Sequence, residues 1–411
     1  MIGKPRWIKG VIASFLVLAL LAIPGLGCAE DEEGVVITIG ELTDFTGPAS
    51  PAVITIHYVV EDVARYYNDN DLIPGVKIKI AGYDTKFEPA REVPGYEWVK
   101  GKGAEVVICL FPGTGEVLKT FAERDKVVIA TMGMTLPQLD PPAWNFGFSN
   151  TQPYAMKTLM KWVHDEHWDY TAEGRVPKIG FAAWGDPGAI NVERAMREYI
   201  QDNPGEFEYV SSHLAPVGTA TWTGEVEKLK DCDYLNLYAF PIGAFLKEYQ
   251  ARGYEATVID AMTMGSYQGF FVDMIGWDAL DGSLTANTSL LWNESFAMVD
   301  LMNQLLYEYR PDEAEDIIST GIGYVGAGHQ VIAIFEILQQ AIEEVGAENF
   351  DGQAFYNAAL KYETTSSTWE GYPVWSFSET KRYLVDHIVI DKFDAEAQEV
   401  VRITEWLPII K

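Results

Sequence analysis

Cysteine is scarce in this chain, because only Cys28, Cys109 and Cys232 occur among its 411 residues. Their spacing does not match zinc sites, in which cysteines recur in pairs a few residues apart. Cys109 and Cys232 lie in or beside predicted strands that belong to different halves of the predicted fold. We therefore expect no disulfide between them, and we interpret both as small, buried apolar residues rather than reactive thiols.

Positive charge is also scarce, since 30 lysine and arginine residues stand against 60 aspartate and glutamate residues. The formal net charge is −30 at pH 7. A surface this acidic repels phosphate backbones, so we do not expect a nucleic-acid partner. The charge favours solubility, and it does not distinguish one fold from another.

Motifs of familiar enzyme active sites are missing, because the chain has no Walker phosphate loop, no Gly-x-Ser-x-Gly elbow and no His-Glu-x-x-His pair. A Gly-x-Gly-x-x-Gly pattern does occur at residues 321–326. A dinucleotide site needs a strand immediately before this pattern, and residues 316–320 are a weak candidate for one. We interpret the pattern as the glycine-rich start of a helix.

His164 and His167 share one face of a predicted helix, which is a spacing that metal sites use. No third ligand accompanies them in the sequence, so we interpret the two histidines as a solvated helix end. Together with the missing catalytic motifs, this leads us to expect no enzyme activity, no cofactor and no bound metal.

A long membrane-spanning run is absent as well, since the apolar run at residues 11–23 is too short to cross a bilayer comfortably. Basic residues precede the run, and small residues follow it. This order is typical of a secretory leader, so we predict that residues 1–27 are a signal peptide.

Residues 24–28 resemble a bacterial lipobox, in which the cysteine becomes the lipidated first residue of the mature protein. The match is incomplete, because Gly25 occupies a position where leucine is usual. We expect a lipid anchor at Cys28 and an acidic tether over residues 28–34. Ordinary secretory cleavage near Ala29 and an uncleaved anchor are the alternatives.

The length and composition of the chain predict a folded globular protein of about two domains. Hydrophobic residues make up 48% of the sequence, and the mean hydropathy is −0.02. This balance provides enough apolar residues for a buried core and argues against a disordered chain.

Residues 105–139 contain the most informative pattern in the chain. An apolar, β-branched run at 105–110 predicts a buried strand, after which Thr114 is placed to cap a helix over 115–124. A second strand is predicted at 126–130. Loops that follow neighbouring parallel strands leave the same edge of a sheet, where open α/β sheets bind ligands.

The alternation of strand and helix runs twice along the chain, with starts roughly 140 residues apart, which predicts two lobes. Residues 75–83 alternate lysine with apolar residues, as expected for an edge strand. Other predicted strands are 35–41, 178–183, 206–212, 232–238, 256–259, 381–391 and 400–406. Predicted helices include 51–68, 154–167, 191–201, 242–252, 293–309 and 328–345.

This order of elements and several loops resemble the type I periplasmic binding proteins, the branched-chain amino acid binding family of ABC transporters. Residues 42–48 are similar to the family's opening loop, and Thr131, Thr135, Pro137 and Leu139 match its later ligand loop. The resemblance covers most of the chain after the predicted leader. It implies an α/β fold of two Rossmann-like lobes, each a parallel sheet flanked by helices, joined by a hinge.

On this resemblance, residues 35–147 plus about 265–365 are assigned to the first lobe. Residues 148–264 plus about 366–411 are assigned to the second lobe and the segments that cross the hinge. The loops at the strand ends of both lobes are expected to enclose a ligand. Each aromatic candidate taken singly is equally compatible with core packing. The candidate ligand-binding residues are Phe45, Phe111, Gly113, Thr114, Thr131, Met134, Thr135, Trp184, Asp186, Phe240, Asp260 and Met262.

The resemblance implies that the hydroxyls of Thr114 and Thr135 hold a ligand carboxylate. Thr114 would act at a helix start, where free backbone N–H groups attract anions. Glu116 lies in the same first turn and would oppose an anion, which makes Thr135 the stronger candidate.

The resemblance also places Met262 where amino acid binders of the family have the acid that holds the ligand ammonium. Methionine makes no ion pair, so we expect a ligand without a free α-ammonium: a carboxylate, an amide or an aromatic compound. An inward-pointing Asp260 or Asp186 would restore an amino acid ligand.

The function that the resemblance implies is an extracytoplasmic, lipid-anchored and monomeric receptor that delivers a small molecule to an ABC permease by hinge closure. A sensor of the same fold, which presents its ligand to a signalling partner, is the first alternative. An extracellular hydrolase is a weaker alternative, because the nucleophile motifs are missing.

Overall fold

The computed structural model describes residues 34–239 and 241–411. The predicted signal peptide and Cys28 lie outside the described residues. None of the helices in the described part of the chain combines the length and the apolar character that crossing a membrane requires.

The first sheet has five parallel strands in the order β2-β1-β3-β4-β5. Its strands are β1 (Val35–Thr43), β2 (Val76–Asp84), β3 (Ala104–Cys109), β4 (Val128–Thr131) and β5 (Asn145–Gly147). Strand β2 forms an edge, as its alternating lysines predict. Strands β3 and β4 are parallel neighbours, so the loops after them leave the same edge of the sheet, as predicted.

The second sheet is mixed. Its strands are β6 (Lys178–Trp184), β7 (Glu208–Ala215), β8 (Tyr234–Tyr238), β9 (Thr257–Ala261), β10 (Leu284–Asn287), β11 (His387–Asp394), β12 (Glu399–Arg402) and β13 (Leu407–Pro408). The order is β12-β11-β10-β9-β8-β6-β7, and β13 pairs with β11. Strands β6 to β10 run parallel, whereas β11 is antiparallel to its neighbours β10 and β12.

Helices connect the strands and cover the faces of the sheets. They are α1 (Ser50–Asp69), α2 (Glu92–Lys100), α3 (Pro112–Asp125), α4 (Leu136–Leu139), α5 (Gln152–Trp162), α6 (Tyr170–Glu173), α7 (Pro187–Asp202), α8 (Thr223–Leu229), α9 (Ile242–Ala251), α10 (Thr263–Ser266), α11 (Gln268–Ile275), α12 (Trp277–Leu280), α13 (Ala297–Tyr309), α14 (Ala314–Ser319), α15 (Gly323–Val345) and α16 (Gly352–Ala359). One buried cluster fills the first lobe around α1 and α15, and two others contain the buried side chains of the second sheet.

The prediction that Thr114 caps a helix was wrong. Helix α3 begins at Pro112, so Thr114 lies inside its first turn instead of capping it. Proline is favoured at this position because its fixed φ suits the first helical residue, where its missing N–H would have had no helical partner. The predicted helix over 154–167 is confirmed, since α5 continues without a break into a π-helical turn at Val163–His167.

Strand β10 was not predicted, because its four residues, Leu-Thr-Ala-Asn, carry a weak apolar signal. It pairs with β9 and β11 in the second sheet, although the sequence argument had placed the stretch from about 265 onward in the first lobe. Where the boundary between the lobes falls in this stretch stays a prediction.

Three segments cross between the two sheets, and they are hydrogen-bonded to one another. The Gly147 N–H donates to the carbonyl of Arg382, and the Leu384 N–H donates to the carbonyl of Gly147, each at 2.7 Å. The hydroxyls of Ser149 and Thr288 lie 3.2 Å apart. These crossings tie the lobes together along one side of the space between the sheets.

Candidate functional site

A cavity of about 430 Å³ lies where the strands of both sheets end. Phe111 after β3 and Gly133 after β4 line it from the first lobe. Asp186 after β6, Ala239 after β8 and Met262 after β9 line it from the second lobe. Open α/β sheets bind ligands at this edge, and a cavity of this volume accommodates a small organic molecule.

The glycine-rich start of α15 forms another part of the cavity wall. Gly323 and Gly326 line the cavity, and Gly321 has a φ of +116°, which other residues rarely adopt. The element before these glycines is a helix, α14, rather than the strand that a dinucleotide fingerprint requires. The pattern therefore allows the backbone of α15 to approach the cavity closely.

Several of the predicted ligand-binding residues line the cavity. They are Phe111, Gly113, Thr114, Asp186 and Met262. Phe111 meets the ring of Phe87 edge-on, with the ring centroids 4.7 Å apart, and both rings belong to the wall. Phe240, another candidate, lies outside the described residues.

Three first-lobe candidates are buried away from the cavity. The Thr131 hydroxyl donates to the carbonyl of Phe146 at 3.3 Å, and Met134 is fully buried in a small cluster beside α4. The Thr135 hydroxyl donates to the carboxylate of Glu116 at 3.0 Å. Both threonine hydroxyls are thus bonded within the first lobe, which leaves Thr114 as the hydroxyl of the predicted pair that lines the cavity.

Phe45, Trp184 and Asp260 also lie off the cavity. Phe45 packs edge-on against His57 with the ring centroids 4.6 Å apart, and the Trp184 indole N–H donates to the carbonyl of Thr219 at 2.9 Å. Asp260 is fully buried and accepts hydrogen bonds from two backbone N–H groups at the start of α10. The inward-pointing Asp260 that would have held a ligand ammonium is therefore not present in this structure.

Glu92, in the first turn of α2, lines the cavity and is 6% exposed. Burial raises the pKa of its carboxyl group to about 7, and the neighbouring Thr114 hydroxyl partly offsets this effect. Within the described part of the chain, its Oε2 has no hydrogen-bond partner. The cavity thus contains a buried carboxyl group that is close to half-ionised at neutral pH and has an unused acceptor.

Asp186 is the second carboxyl group on the cavity, and it caps α7. It accepts a hydrogen bond from the Ala189 N–H at 3.1 Å. Burial raises the pKa of Asp186, and the backbone N–H groups of Ala189 and Gly188 counteract part of that rise. Of the described residues that line the cavity, none is lysine, arginine or histidine. The side-chain charge on the cavity is therefore entirely negative.

Tyr238 and Gln152 supply neutral polar groups on the second-lobe side. The Tyr238 hydroxyl donates to Gln152 Oε1 at 2.6 Å, and burial raises the pKa of Tyr238 well above its ordinary value. The phenol therefore stays protonated at neutral pH. The described residues contain no cluster of three or more side chains arranged to hold a metal ion.

The sequence matches the family described as periplasmic binding protein over residues 36–380. The chain belongs to this family. Its members are binding proteins for small molecules that serve ABC transporters. A search of curated proteins gives no match.

Solved structures with the same fold share little sequence with this periplasmic binding protein. A branched-chain amino acid ABC transporter protein from Thermus thermophilus, with bound valine, has a TM-score of 0.78 at 17% identity, covering 91% of this chain and 96% of that one. A fatty acid ABC transporter substrate-binding protein from Thermomonospora curvata has a TM-score of 0.76 at 14% identity, with coverages of 91% and 92%.

A third structure with this fold is a solute-binding protein of an ABC transporter from Rhodopseudomonas palustris, in complex with 3,4-dihydroxybenzoic acid. Its TM-score is 0.72 at 16% identity, and the alignment covers 92% of this chain and 98% of that one. At these identities the three likenesses establish the two-lobed fold and leave the ligand of this binding protein undetermined.

Sequence reasoning missed several lining residues of this binding protein, above all Glu92. Nothing in its local sequence separates it from the many other acidic residues on helices. The polar run of Asn287, Thr288 and Ser289 was a usable signal, because three consecutive polar residues precede the apolar Leu290. Because β10 was not predicted, however, these three residues were not recognised as a loop at the end of a strand.

Proposed function

We propose that this periplasmic binding protein is an extracytoplasmic receptor that binds a small, largely apolar solute and delivers it to an ABC permease. The observation that carries the proposal is the cavity of about 430 Å³ between the strand ends of the two lobes. Its walls are mostly apolar, with a few fixed polar groups, which is the usual composition of a pocket that buries most of its ligand.

Hinge closure is the mechanism that suits this arrangement. Both lobes line one cavity, so a solute that contacts both stabilises the arrangement in which they are close together. The starts of α3 and α7 meet beside the cavity, since a Cβ added at Gly113 would lie 3.3 Å from Pro187 Cγ. A permease that recognises the closed arrangement would then respond to the loaded receptor, which we infer acts as a monomer.

The bound solute has an apolar body that contacts Phe111 and Met262. Two structures of this fold are solved with valine and with 3,4-dihydroxybenzoic acid, and a third belongs to a fatty acid transporter. These compounds differ in charge but share an apolar portion. The receptor releases its solute unchanged, as expected of a binding protein of this family.

The lipid anchor is part of the proposal, and it depends on Cys28, which lies outside the described residues. A Cys28→Ser variant is expected to move from the membrane fraction to the soluble fraction, because the acyl chains that hold a lipoprotein would be missing. An Ala29→Ser variant serves as the control. Membrane association that persists in Cys28→Ser contradicts the anchor and leaves solute binding unaffected.

A thermal-shift screen of ligand-stripped protein tests the central proposal. Amino acids, amides, aromatic acids, amines and fatty acids are the solutes, and at least one class is expected to raise the melting temperature. Calorimetry with that solute should then show weaker binding by Phe111→Leu and unchanged binding by Phe121→Leu. Phe121 lies on α3, the helix that Phe111 precedes, and does not line the cavity. No stabilisation by any class, or equal binding by both variants, contradicts the proposed site.

A further inference from the structure

Glu92 is set apart from the other carboxyl group on the cavity by what surrounds it. Asp186 accepts hydrogen bonds from the backbone of α7, whereas Glu92 Oε2 has no partner within the described part of the chain. A buried carboxyl oxygen without a hydrogen bond destabilises a protein unless something else satisfies it. Glu92 lines the cavity, so a bound molecule is able to supply the missing partner.

We propose, on the basis of the proposed function, that Glu92 is the polar anchor of the solute site. It selects a ligand that presents an N–H donor, as an amine or an amide, on an apolar body. The N–H group completes the hydrogen bonding of the carboxyl group, and the apolar body packs against Phe111 and Phe87 on the same side of the cavity.

A ligand carboxylate fits this cavity poorly. It would meet the carboxyl groups of Glu92 and Asp186 and no cationic side chain among the described lining residues. In a buried site, two like charges at short distance repel strongly because the surroundings screen them little. At the starts of α3 and α7 few backbone N–H groups are free to hold an anion, since Pro112 and Pro187 have none and Asp186 accepts from the Ala189 N–H.

The position of Glu92 changes one conclusion drawn from the sequence. The absence of an acid at Met262 had favoured a ligand without an ammonium group. Glu92 offers an acid from the opposite lobe, so an amine finds a counter-charge in the cavity without one at Met262. The amide and the aromatic body of the earlier expectation remain compatible with the site, and the carboxylate does not.

The pH dependence of binding separates the two donor types. The pKa of Glu92 is raised by burial to about 7, so the anchor is mostly ionised at pH 8 and mostly protonated at pH 6. An ammonium ligand needs the ionised form and binds more tightly at pH 8. An amide both donates and accepts, so it bonds to either form and changes little in affinity over this range.

Other titratable groups lie at the ends of the strands that α2 packs against. Glu41 lies near the end of β1 and is bonded to His57. Asp84 ends β2, and Cys109 ends β3, where burial raises the pKa of its thiol well above the ordinary value. Asp186 faces the cavity from the second lobe. Only the part of the pH dependence that disappears when Glu92 is replaced belongs to the anchor.

The test uses three probes with one apolar body: 4-phenylbutylamine, 4-phenylbutanamide and 4-phenylbutanoate. Calorimetry at pH 8 on ligand-stripped protein is expected to give at least tenfold tighter binding of the amine and the amide than of the carboxylate. Glu92→Gln should weaken the amine at least tenfold and the amide only a few-fold, since glutamine still bonds to an amide. The control Glu88→Gln removes the same charge at an exposed position near α2 and should change nothing.

A second variant keeps the test decisive if Glu92→Gln does not fold. Val117 lines the cavity from α3 and is 43% exposed, so Val117→Lys adds a cation without burying it completely. It should strengthen binding of the carboxylate and weaken binding of the amine. If Val117→Lys binds the amine and the carboxylate with the same relative affinity as the wild type, the charge of the cavity does not select the ligand.

Each remaining outcome also decides the question. Tightest binding by the carboxylate, or equal loss in Glu92→Gln and Glu88→Gln, overturns the anchor while leaving the solute site intact. A further outcome is that a different solute from the screen binds and none of the three probes does. In that case the anchor stands only when the solute carries an N–H group and its affinity falls at least tenfold in Glu92→Gln. If no solute binds at all, the proposed function fails and the anchor with it.

Discussion

At the scale of single residues, two hydroxyls that the sequence made equivalent have different surroundings. Thr114 and Thr135 both follow strand ends of the first lobe, and the resemblance implied that both hold the ligand. Thr114 lines the cavity, whereas the Thr135 hydroxyl is bonded to Glu116 inside the lobe. A side chain's direction depends on the turn that carries it, and sequence spacing did not determine that turn.

This difference predicts opposite effects for two matched substitutions. Thr135→Val should lower the free energy of unfolding by about 1–2 kcal/mol, because the hydrogen bond to a carboxylate is lost. The loss should be the same with and without ligand. Thr114→Val should instead weaken ligand binding by about fivefold, or about 1 kcal/mol, with little change in the unliganded protein.

Urea unfolding with and without ligand, together with calorimetry, measures both effects. Weaker ligand binding by Thr135→Val without loss of stability would contradict the placement of its hydroxyl away from the cavity.

His57 gives a second prediction at this scale. Burial of its ring opposes a positive charge, but hydrogen bonds to Glu41 and Glu61 outweigh that effect and raise the pKa of His57 from 6.5 to about 9. The folded protein therefore holds this proton more tightly than the unfolded chain does. The resulting stabilisation is fully present below pH 6.5 and is lost as the pH rises through about 9.

Melting temperatures of the wild type and of His57→Gln, recorded from pH 6 to pH 10, test whether the stabilisation by His57 falls as the pH rises. The advantage of the wild type is expected to shrink steadily between about pH 6.5 and 9. A constant advantage for His57 across the range would disagree with the ion pair.

At the scale of elements, the strongest sequence patterns gave the correct types and approximate positions. Strands β1 to β4 of the first sheet and the long helices α1 and α15 formed where their periodicity placed them. The failures concerned short or polar elements, such as β10, and helix ends, such as the start of α3. A four-residue strand is stabilised by its neighbours in the sheet rather than by its own sequence, so its pattern is weak.

The cap of α7 provides the prediction at this scale. Asp186 bonds to the Ala189 N–H, one of the donors that a helix start leaves without a partner. Asp186→Ala is expected to lower the free energy of unfolding by about 1 kcal/mol, and Asp186→Asn should change it little, because asparagine caps equally well. Equal destabilisation by both substitutions in urea unfolding would mean that the charge, rather than the cap, is what matters.

At the scale of the whole molecule, the proposed mechanism depends on how closely the two lobes approach. Gly113 at the start of α3 lies against Pro187 at the start of α7, and an added Cβ would lie 3.3 Å from Pro187 Cγ. That distance is tighter than an ordinary carbon contact, and a branched side chain would need more room. A larger side chain at Gly113 is therefore expected to push the starts of α3 and α7 apart.

Gly113→Val is accordingly expected to weaken ligand binding at least tenfold by holding the lobes apart. The melting temperature of the unliganded protein should change little, since valine is sterically allowed in a helix. Small-angle scattering should show that the ligand no longer reduces the radius of gyration. Gly224→Val, in the first turn of α8 with open space around it, is the matched control. Equal effects of the two substitutions on binding would argue against a contact that limits closure.

The sequence by itself determined the fold class and the order of the main strands along the chain. Apolar periodicity and turn residues are local signals, so they can be recognised without knowing the tertiary contacts. It also identified the strand-end loops that line the cavity, including those of Phe111, Asp186 and Met262. Only the tertiary structure decided which side chains face that cavity, since direction depends on register and on contacts between distant segments. Glu92 shows this most clearly: burial at the cavity, with no partner for one oxygen within the described part of the chain, turns an ordinary glutamate into the candidate anchor.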